Sequence, residues 1–235
     1  MDTRHEAAVT CLGALADGHW ASGDAAGVLI IRKAGSVSCA LRFAGVPLAV
    51  CTVSNGMLAV GTQHGVAIHE HPGRAGPGRA PAPVRFYEHP RSAAVLCILG
   101  LPGGAVVTAG TGGSVVRLPH ISATPITLVG HSSRIRCLLA LADGVVASAS
   151  RDTTVRCWRG HRCQYTLRGH TAEVTALAEI PGAVLASGSA DADVRLWRLG
   201  TCIRVLRGHT APVSAVLPLP GGLLASAGAV LRVWA

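Results

Sequence analysis

Apolar residues along this chain come in short runs broken by turn residues, and no stretch carries a helical period. Val174-Thr175-Ala176-Leu177-Ala178 is an apolar run suited to a buried strand. Pro181-Gly182 predicts a turn, and Val184-Leu185-Ala186-Ser187-Gly188 a second strand. After a polar turn at Ala190-Asp191-Ala192-Asp193, the segment Val194-Arg195-Leu196-Trp197 alternates as a half-exposed third strand should. Thr201-Cys202-Ile203-Arg204-Val205-Leu206 reads as an outer fourth strand. The predicted unit is an antiparallel four-stranded sheet.

That unit recurs. Gly130-His131 precedes Trp158, Gly169-His170 precedes Trp197, and Gly208-His209 precedes Trp234; the His intervals are 170 − 131 = 39 and 209 − 170 = 39. Six residues after each His stands a small residue (Cys137, Ala176, Ala215), and eleven further on a hydroxyl (Ser148, Ser187, Ser226). The same frame gives Cys11 and Ser22 from His5, Cys51 and Thr62 from Gly45, and Cys97 and Thr108 from Arg91. Six repeats follow: 5–43, 44–90, 91–130, 131–169, 170–208 and 209–235. A single such sheet cannot bury its own faces, so the period predicts an all-β fold, one domain over 1–235, with six four-stranded blades of a β-propeller. The last repeat stops after its third strand, and only Met1 to Arg4 precede the first. A strand needs about five or six residues. The expectation is a last blade lacking its outer strand, with a seam between repeats one and six or a partner strand filling the gap.

With these repeats the chain resembles the WD40-repeat family over almost its whole length. The resemblance implies a hydrogen-bonded tetrad of His, second-strand hydroxyl, turn Asp and third-strand Trp. Full sets are His131, Ser148, Asp152, Trp158 and His170, Ser187, Asp191, Trp197, with identical internal spacing; Asp193 lies outside the second set. The chemistry is consistent, because an indole N–H only donates, a hydroxyl donates and accepts, and a carboxylate holds the His tautomer. Partial sets are His5 with Ser22, where Ile31 stands near the Trp position, and His209 with Ser226 and Trp234, where no Asp follows. The third repeat has Arg91, Thr108, Gly112 and Leu118, and the second diverges most. The family's Trp-Asp dipeptide is absent: Arg159, Arg198 and Ala235 follow the three Trp residues. The resemblance implies a non-catalytic docking scaffold or adaptor for protein or peptide partners. The alternatives are a substrate-recognition subunit of a ubiquitin ligase and a basic ribonucleoprotein component. The ligase docking motif needs Trp-Asp-x-Arg, and Trp158-Arg159-Gly160-His161 and Trp197-Arg198-Leu199-Gly200 both lack it.

Composition narrows the reading further. The net charge of +9 is carried by Arg almost alone, Lys33 being the single Lys. Such charge favours acidic partners. Aromatics are only 3%, too few for the stacking platforms of single-strand binders, so an acidic protein surface is preferred over nucleic acid. Arg134, Arg151 and Glu173 fall in loops predicted to open on one face, which makes them the candidate partner-binding face. The apolar residues never run for the length of a membrane span, and the short leader leaves no room for a signal peptide. The eight Cys include no CxxC. Cys11, Cys51, Cys97 and Cys137 share one repeat position, where Ala176 and Ala215 also stand, and read as small buried apolar residues. A reducing compartment, cytoplasmic or nuclear, follows. His64, His69, His71 and His89 cluster in the second repeat without a partner at ligand spacing, so no metal is expected, nor any cofactor. Gly110-Thr111-Gly112-Gly113 joins two strands and lacks the helix dipole a phosphate loop needs. No acid–base or nucleophile set stands apart from the tetrads, so no enzyme is expected. Pro72 to Pro83, rich in Pro and Gly, predicts a mobile loop.

Overall fold

The computed structural model describes residues 5–15, 18–34, 36–53, 56–70, 83–90, 93–119 and 124–235. Arg91 and nearly all of the Pro/Gly segment 72–83 lie outside the described residues; Pro83 opens a strand. The described chain contains no α-helix and builds six antiparallel sheets in two compact units, 1–127 and 128–235.

In the first unit, sheet one is β1 (Val9–Ala14), β2 (His19–Asp24), β3 (Val28–Lys33) and β4 (Ser36–Arg42). Sheet two is β5 (Pro47–Val53), β6 (Met57–Thr62), β7 (Gly65–Glu70) and β8 (Pro83–Glu88). Sheet three is β9 (Val95–Gly100), β10 (Val106–Gly110), β11 (Val115–Leu118) and β12 (Ile126–Leu128). In the second unit, sheet four is β13 (Ile135–Ala140), β14 (Val146–Ser150), β15 (Val155–Arg159) and β16 (Arg162–Leu167). Sheet five is β17 (Val174–Ile180), β18 (Val184–Ser189), β19 (Val194–Arg198) and β20 (Thr201–Leu206). Sheet six is β21 (Ala215–Pro218), β22 (Leu224–Ala227) and β23 (Leu231–Trp234). Every sheet is a meander in which sequence neighbours pair. This is the blade architecture of a β-propeller, and the last sheet has three strands.

Burial along each sheet explains its sequence. β14 reads Val-Ala-Ser-Ala-Ser and is buried at every residue, and β17 of sheet five lies against it. Only small or branched side chains fit there, and Ala147 and Ala149, like Ala186 of β18, are wholly inaccessible. The outer strands β16 and β20 carry Arg, Gln and Thr because their residues are mostly exposed or half-buried. In the second unit β17 lies against both β13 and β21; in the first, β5 lies against β1 and β9. Val145, Leu177, Leu185 and Trp197 fill the layer between sheets four and five, and Leu29, Val50, Leu58 and Val60 that between sheets one and two.

Two irregularities repeat. The first strand bulges just before its small residue, between Ile135 and Cys137 and between Val174 and Ala176. The third-to-fourth strand pairing bulges between Cys157 and Trp158 and between Leu196 and Trp197. A bulge re-aims the side chain that follows it, and here that side chain is the Trp. The same bulge precedes Arg32 in sheet one and His69 in sheet two.

These landmarks correct the frame of the second repeat. Pro47 pairs with Thr62 and Ala49 with Gly61, as Ile135 pairs with Ser150 and Cys137 with Ala149. Ala49, not Cys51, therefore matches Cys137, and Val60, not Thr62, matches the tetrad hydroxyl Ser148. The sequence frame slipped by two residues. Side chains alternate with period two along a strand, so such a slip keeps every residue on its face and leaves the pattern looking intact.

Candidate functional site

The hydroxyl at the centre of each second strand is placed by pairing. Ser148 pairs with Arg156 of β15, so Trp158 stands one pleat further on, on the same face, and the bulge turns its indole inward. The Trp158 Nε1–H donates to Ser148 Oγ at 2.8 Å. His131 Nε2 lies 2.8 Å from the same oxygen, and His131 Nδ1 lies 2.7 Å from Asp152 Oδ2. One direction of donation satisfies the set: Trp N–H to Ser oxygen, Ser O–H to His Nε2, and His Nδ1–H to the carboxylate. A pure donor begins the relay and a pure acceptor ends it, which assigns the His tautomer. Sheet five repeats it with Trp197 to Ser187 at 2.8 Å, His170 to Ser187 at 2.8 Å and His170 to Asp191 at 2.8 Å.

The electrostatics follow from burial. Desolvation holds His131 and His170 below the ordinary imidazole value, against the pull of Asp152 and Asp191, so both rings are neutral near pH 7. Burial pushes the Asp152 carboxyl up, but the Thr154 hydroxyl, His131 and the Thr154 N–H together hold it below the ordinary range. Thr154 is a further member of this relay: its hydroxyl donates to Asp152 Oδ1 at 2.6 Å. In sheet five the equivalent residue is Asp193, outside the relay, 3.8 Å from Arg195 and 3.9 Å from Arg207.

The partial sets differ in instructive ways. In sheet six Trp234 and His209 reach Ser226, each at 2.7 Å, but His209 Nδ1 has no hydrogen-bond partner. In sheet one His5 Nε2 is 2.7 Å from Ser22 Oγ, while His5 Nδ1 is 2.7 Å from Asp24 Oδ2. Asp24 pairs opposite Val9, the position Ser150 holds in sheet four, and reaches the ring from the strand rather than from the turn. The donor that replaces the indole is Arg32, whose Nη1 donates to Ser22 Oγ at 3.1 Å. Ile31, the sequence candidate for the Trp position, is a wholly buried core residue. Thr62, at the Ser150 position, closes its own turn by accepting the N–H groups of His64 and Gly65. Thr108 is buried in sheet three and Leu118 stands at the Trp position beside it.

The glycine of each Gly-His pair has a tertiary cause. Gly169 (φ +150°) and Gly208 (φ +153°) hold a conformation L side chains avoid, and a Cβ on Gly169 would meet the Arg195 guanidinium at 2.7 Å. A Cβ on Gly130 would meet the Arg156 guanidinium at 2.6 Å and the Trp158 ring at 3.0 Å. Arg156, Arg195 and Arg232 pair opposite the relay Ser in their sheets. Their signal in the sequence is an Arg two residues before each of the three relay Trp residues.

Arg134, Arg151 and Glu173 meet in the second unit. Arg134 grips Glu173 with two bonds, Nε to Oε1 at 3.0 Å and Nη2 to Oε2 at 3.1 Å. Arg136 Nε stands 3.6 Å from the same carboxylate. The Arg151 N–H donates to the Arg134 carbonyl, closing the loop pair. Hydrogen bonding from Arg134, against a partial burial cost, holds Glu173 below the ordinary carboxylate value, with Arg136 and Arg151 adding to the effect. Two guanidinium groups thus reach one carboxylate, and the Arg151 charge adds to the field that holds it ionised.

Among the described residues no group of three or more His, Cys, Asp or Glu could hold a metal, and His71 lies outside them. His69 sits edge-on to Phe43 at 5.3 Å. None of the eight cysteines is in a disulfide. Among the described residues no helix is long and apolar enough to cross a membrane.

Stacked meander sheets with a Trp-to-Asp relay in their best copies define a β-propeller repeat protein. Matches to the WD domain, G-beta repeat family model cover residues 123–159, 161–198 and 200–234. Over residues 123–234 the chain is built of WD40 repeats. Each matched unit begins with the outer strand of one sheet and ends with the third strand of the next, so consecutive repeats share a blade. No curated protein matches the chain. WD40 repeats are protein-interaction scaffolds in general, and such proteins are generally non-catalytic.

Proposed function

We propose that this protein is a non-catalytic adaptor whose cationic loop face, built on Arg134, Arg136 and Arg151 around Glu173, receives an acidic protein or peptide. The observation that carries the reading is the charge count at that cluster. Two guanidinium groups share one carboxylate and a third, Arg151, adds its charge, while Arg136 and Arg134 remain partly exposed. Arg in a rigid setting is a frequent interface anchor. Here Glu173 splints the Arg134 side chain, so little side-chain entropy is lost when a second carboxylate arrives. The relays serve this role indirectly by holding the loops that carry Arg134 and Arg151. Eight cysteines outside any disulfide support a reducing compartment, cytoplasmic or nuclear.

The test is affinity capture from nuclease-treated extract with wild type and with an Arg136→Ser/Arg151→Ser double variant. Both retain the Arg134–Glu173 bonds and should melt alike. The expected outcome is nuclease-resistant capture of acidic proteins that the double variant loses. Equal capture by a folded double variant would remove this face from the reading, and capture abolished by nuclease would favour a ribonucleoprotein role.

A further inference from the structure

A cleft of about 160 Å³ opens between sheets four and five, at the end bearing the turns that join first to second and third to fourth strands. It lies at the opposite end of these sheets from the relay histidines and the Arg134 cluster. Leu141, Cys157, Tyr165, Leu185 and Trp197 wall it. Pockets for whole small ligands run to about 300–1,000 Å³, whereas a cavity of about 150 Å³ holds a single benzene ring. This volume suits one aromatic or branched aliphatic side chain.

The backbone keeps the cleft open. Gly200 (φ +86°) leaves room for the Tyr165 ring, which a Cβ would meet at 2.6 Å. Its neighbour Leu199 holds a left-handed conformation at φ +48° and projects into solvent, 80% exposed, on the rim. An exposed leucine in a strained turn beside an apolar cleft adds contact surface for an incoming chain.

Charge at the rim identifies the neighbouring group. The Arg159 guanidinium is neutralised by Asp143, Nη2 to Oδ2 at 2.6 Å, and is held further by the Asp143 carbonyl and the Gln164 amide. Glu179, on the opposite rim, has a different situation. Its Oε2 accepts the Ala142 N–H at 2.8 Å, and no cation among the described residues lies within ion-pair distance of it. The uncompensated charge at the mouth of this cleft is therefore negative, on a chain with net charge +9. We infer that the cleft takes a single aromatic or branched aliphatic side chain from a partner peptide whose adjacent residue is Arg or Lys, the apolar group entering against Trp197 and the cation resting on Glu179. This partner is opposite in charge to the one proposed for the Arg134 face, so the two surfaces can be occupied independently.

Trp197 supplies the readout, since its indole both lines the cleft and donates to Ser187. The full chain, labelled with nitrogen-15, is titrated to millimolar concentration with three blocked tetrapeptides: acetyl-Gly-Phe-Arg-Gly-amide, acetyl-Gly-Phe-Glu-Gly-amide and acetyl-Gly-Ala-Arg-Gly-amide. The Trp197 indole signal is assigned by its disappearance in Trp197→Phe. The Phe-Arg peptide should shift this signal saturably. The Phe-Glu peptide should bind roughly threefold more weakly, the scale of a partly exposed ion pair, and the Ala-Arg peptide should not saturate. Glu179→Gln should bind both Phe peptides equally, and Glu179→Lys should reverse their order. An indole signal unmoved by either Phe peptide overturns the cleft assignment. Equal affinity of wild type for the two Phe peptides overturns the role of Glu179.

Discussion

Replacing Asp191 by Asn tests whether the carboxylate end of the relay is structural. Asp191 Oδ2 accepts from His170 at 2.8 Å and from the Thr171 N–H at 2.9 Å, while Oδ1 accepts from the Asp193 N–H at 3.0 Å. Asn has the same shape but only one acceptor oxygen. With its oxygen toward His170 and Thr171, its amide N–H faces the N–H of Asp193; turned over, it faces two donors. At least one bond to a charged acceptor is lost, worth about 1.5–3 kcal/mol. A chain of this length shifts by about 2–4 °C for each kcal/mol, so the melting temperature at pH 7 should fall by roughly 3–12 °C. Asp193→Asn is the control. That residue lies two positions away, and its carboxylate makes only the long contacts to Arg195 and Arg207. Its substitution should cost under about 0.5 kcal/mol. Thermal melts followed by circular dichroism distinguish the two. Equal shifts, or no shift in Asp191→Asn, would refute the relay as a source of stability.

Trp197→Phe should cost about 1–3 kcal/mol by removing the donor to buried Ser187, whereas Trp20→Phe, at a site 40% exposed, should cost much less; comparable melts would contradict the assignment. Desolvation depresses His131, His170 and His209 below their ordinary value of 6.5, so each adds stability that is complete above pH 6.5 and lost as pH falls through the lower folded value. Asp24, Asp152 and Asp191 are likewise held below 3.8 and extend the loss to stronger acid. Melting temperature should decline from pH 7 to pH 5 and again below pH 4, and a profile flat across both ranges would count against neutral buried rings. Strand β23 pairs with β22 alone among the described strands and exposes Leu231 and Val233. Val233→Lys should raise the concentration at which the protein self-associates, as measured by light scattering, since a charge on an open edge discourages strand addition.

Much was legible in the chain because it is local. Strand spans in sheet five follow from alternation and turn residues, and both complete relays are what the family resemblance implies, their members standing at identical spacing because His131 to Ser148 and His170 to Ser187 each cross one intact hairpin of the same length. Sheet one escaped that reasoning. Its relay ends on Asp24 and begins on Arg32, two residue types in unexpected places, and only strand pairing shows that they reach the same hydroxyl. The second repeat escaped it differently, because a two-residue slip conserves the face of every side chain and pattern alone cannot detect it. Sequence by itself determined the all-β class, the repeat and the inward-facing residues, for these depend on period and spacing within tens of residues. Tertiary structure alone decided that Glu173 lies under Arg134, that third-strand Arg side chains cover the Gly of Gly-His, and that a cleft opens beside Trp197. Those contacts join residues of different strands or sheets, where distance depends on how sheets stack and bulges turn, quantities with no periodic trace in the chain.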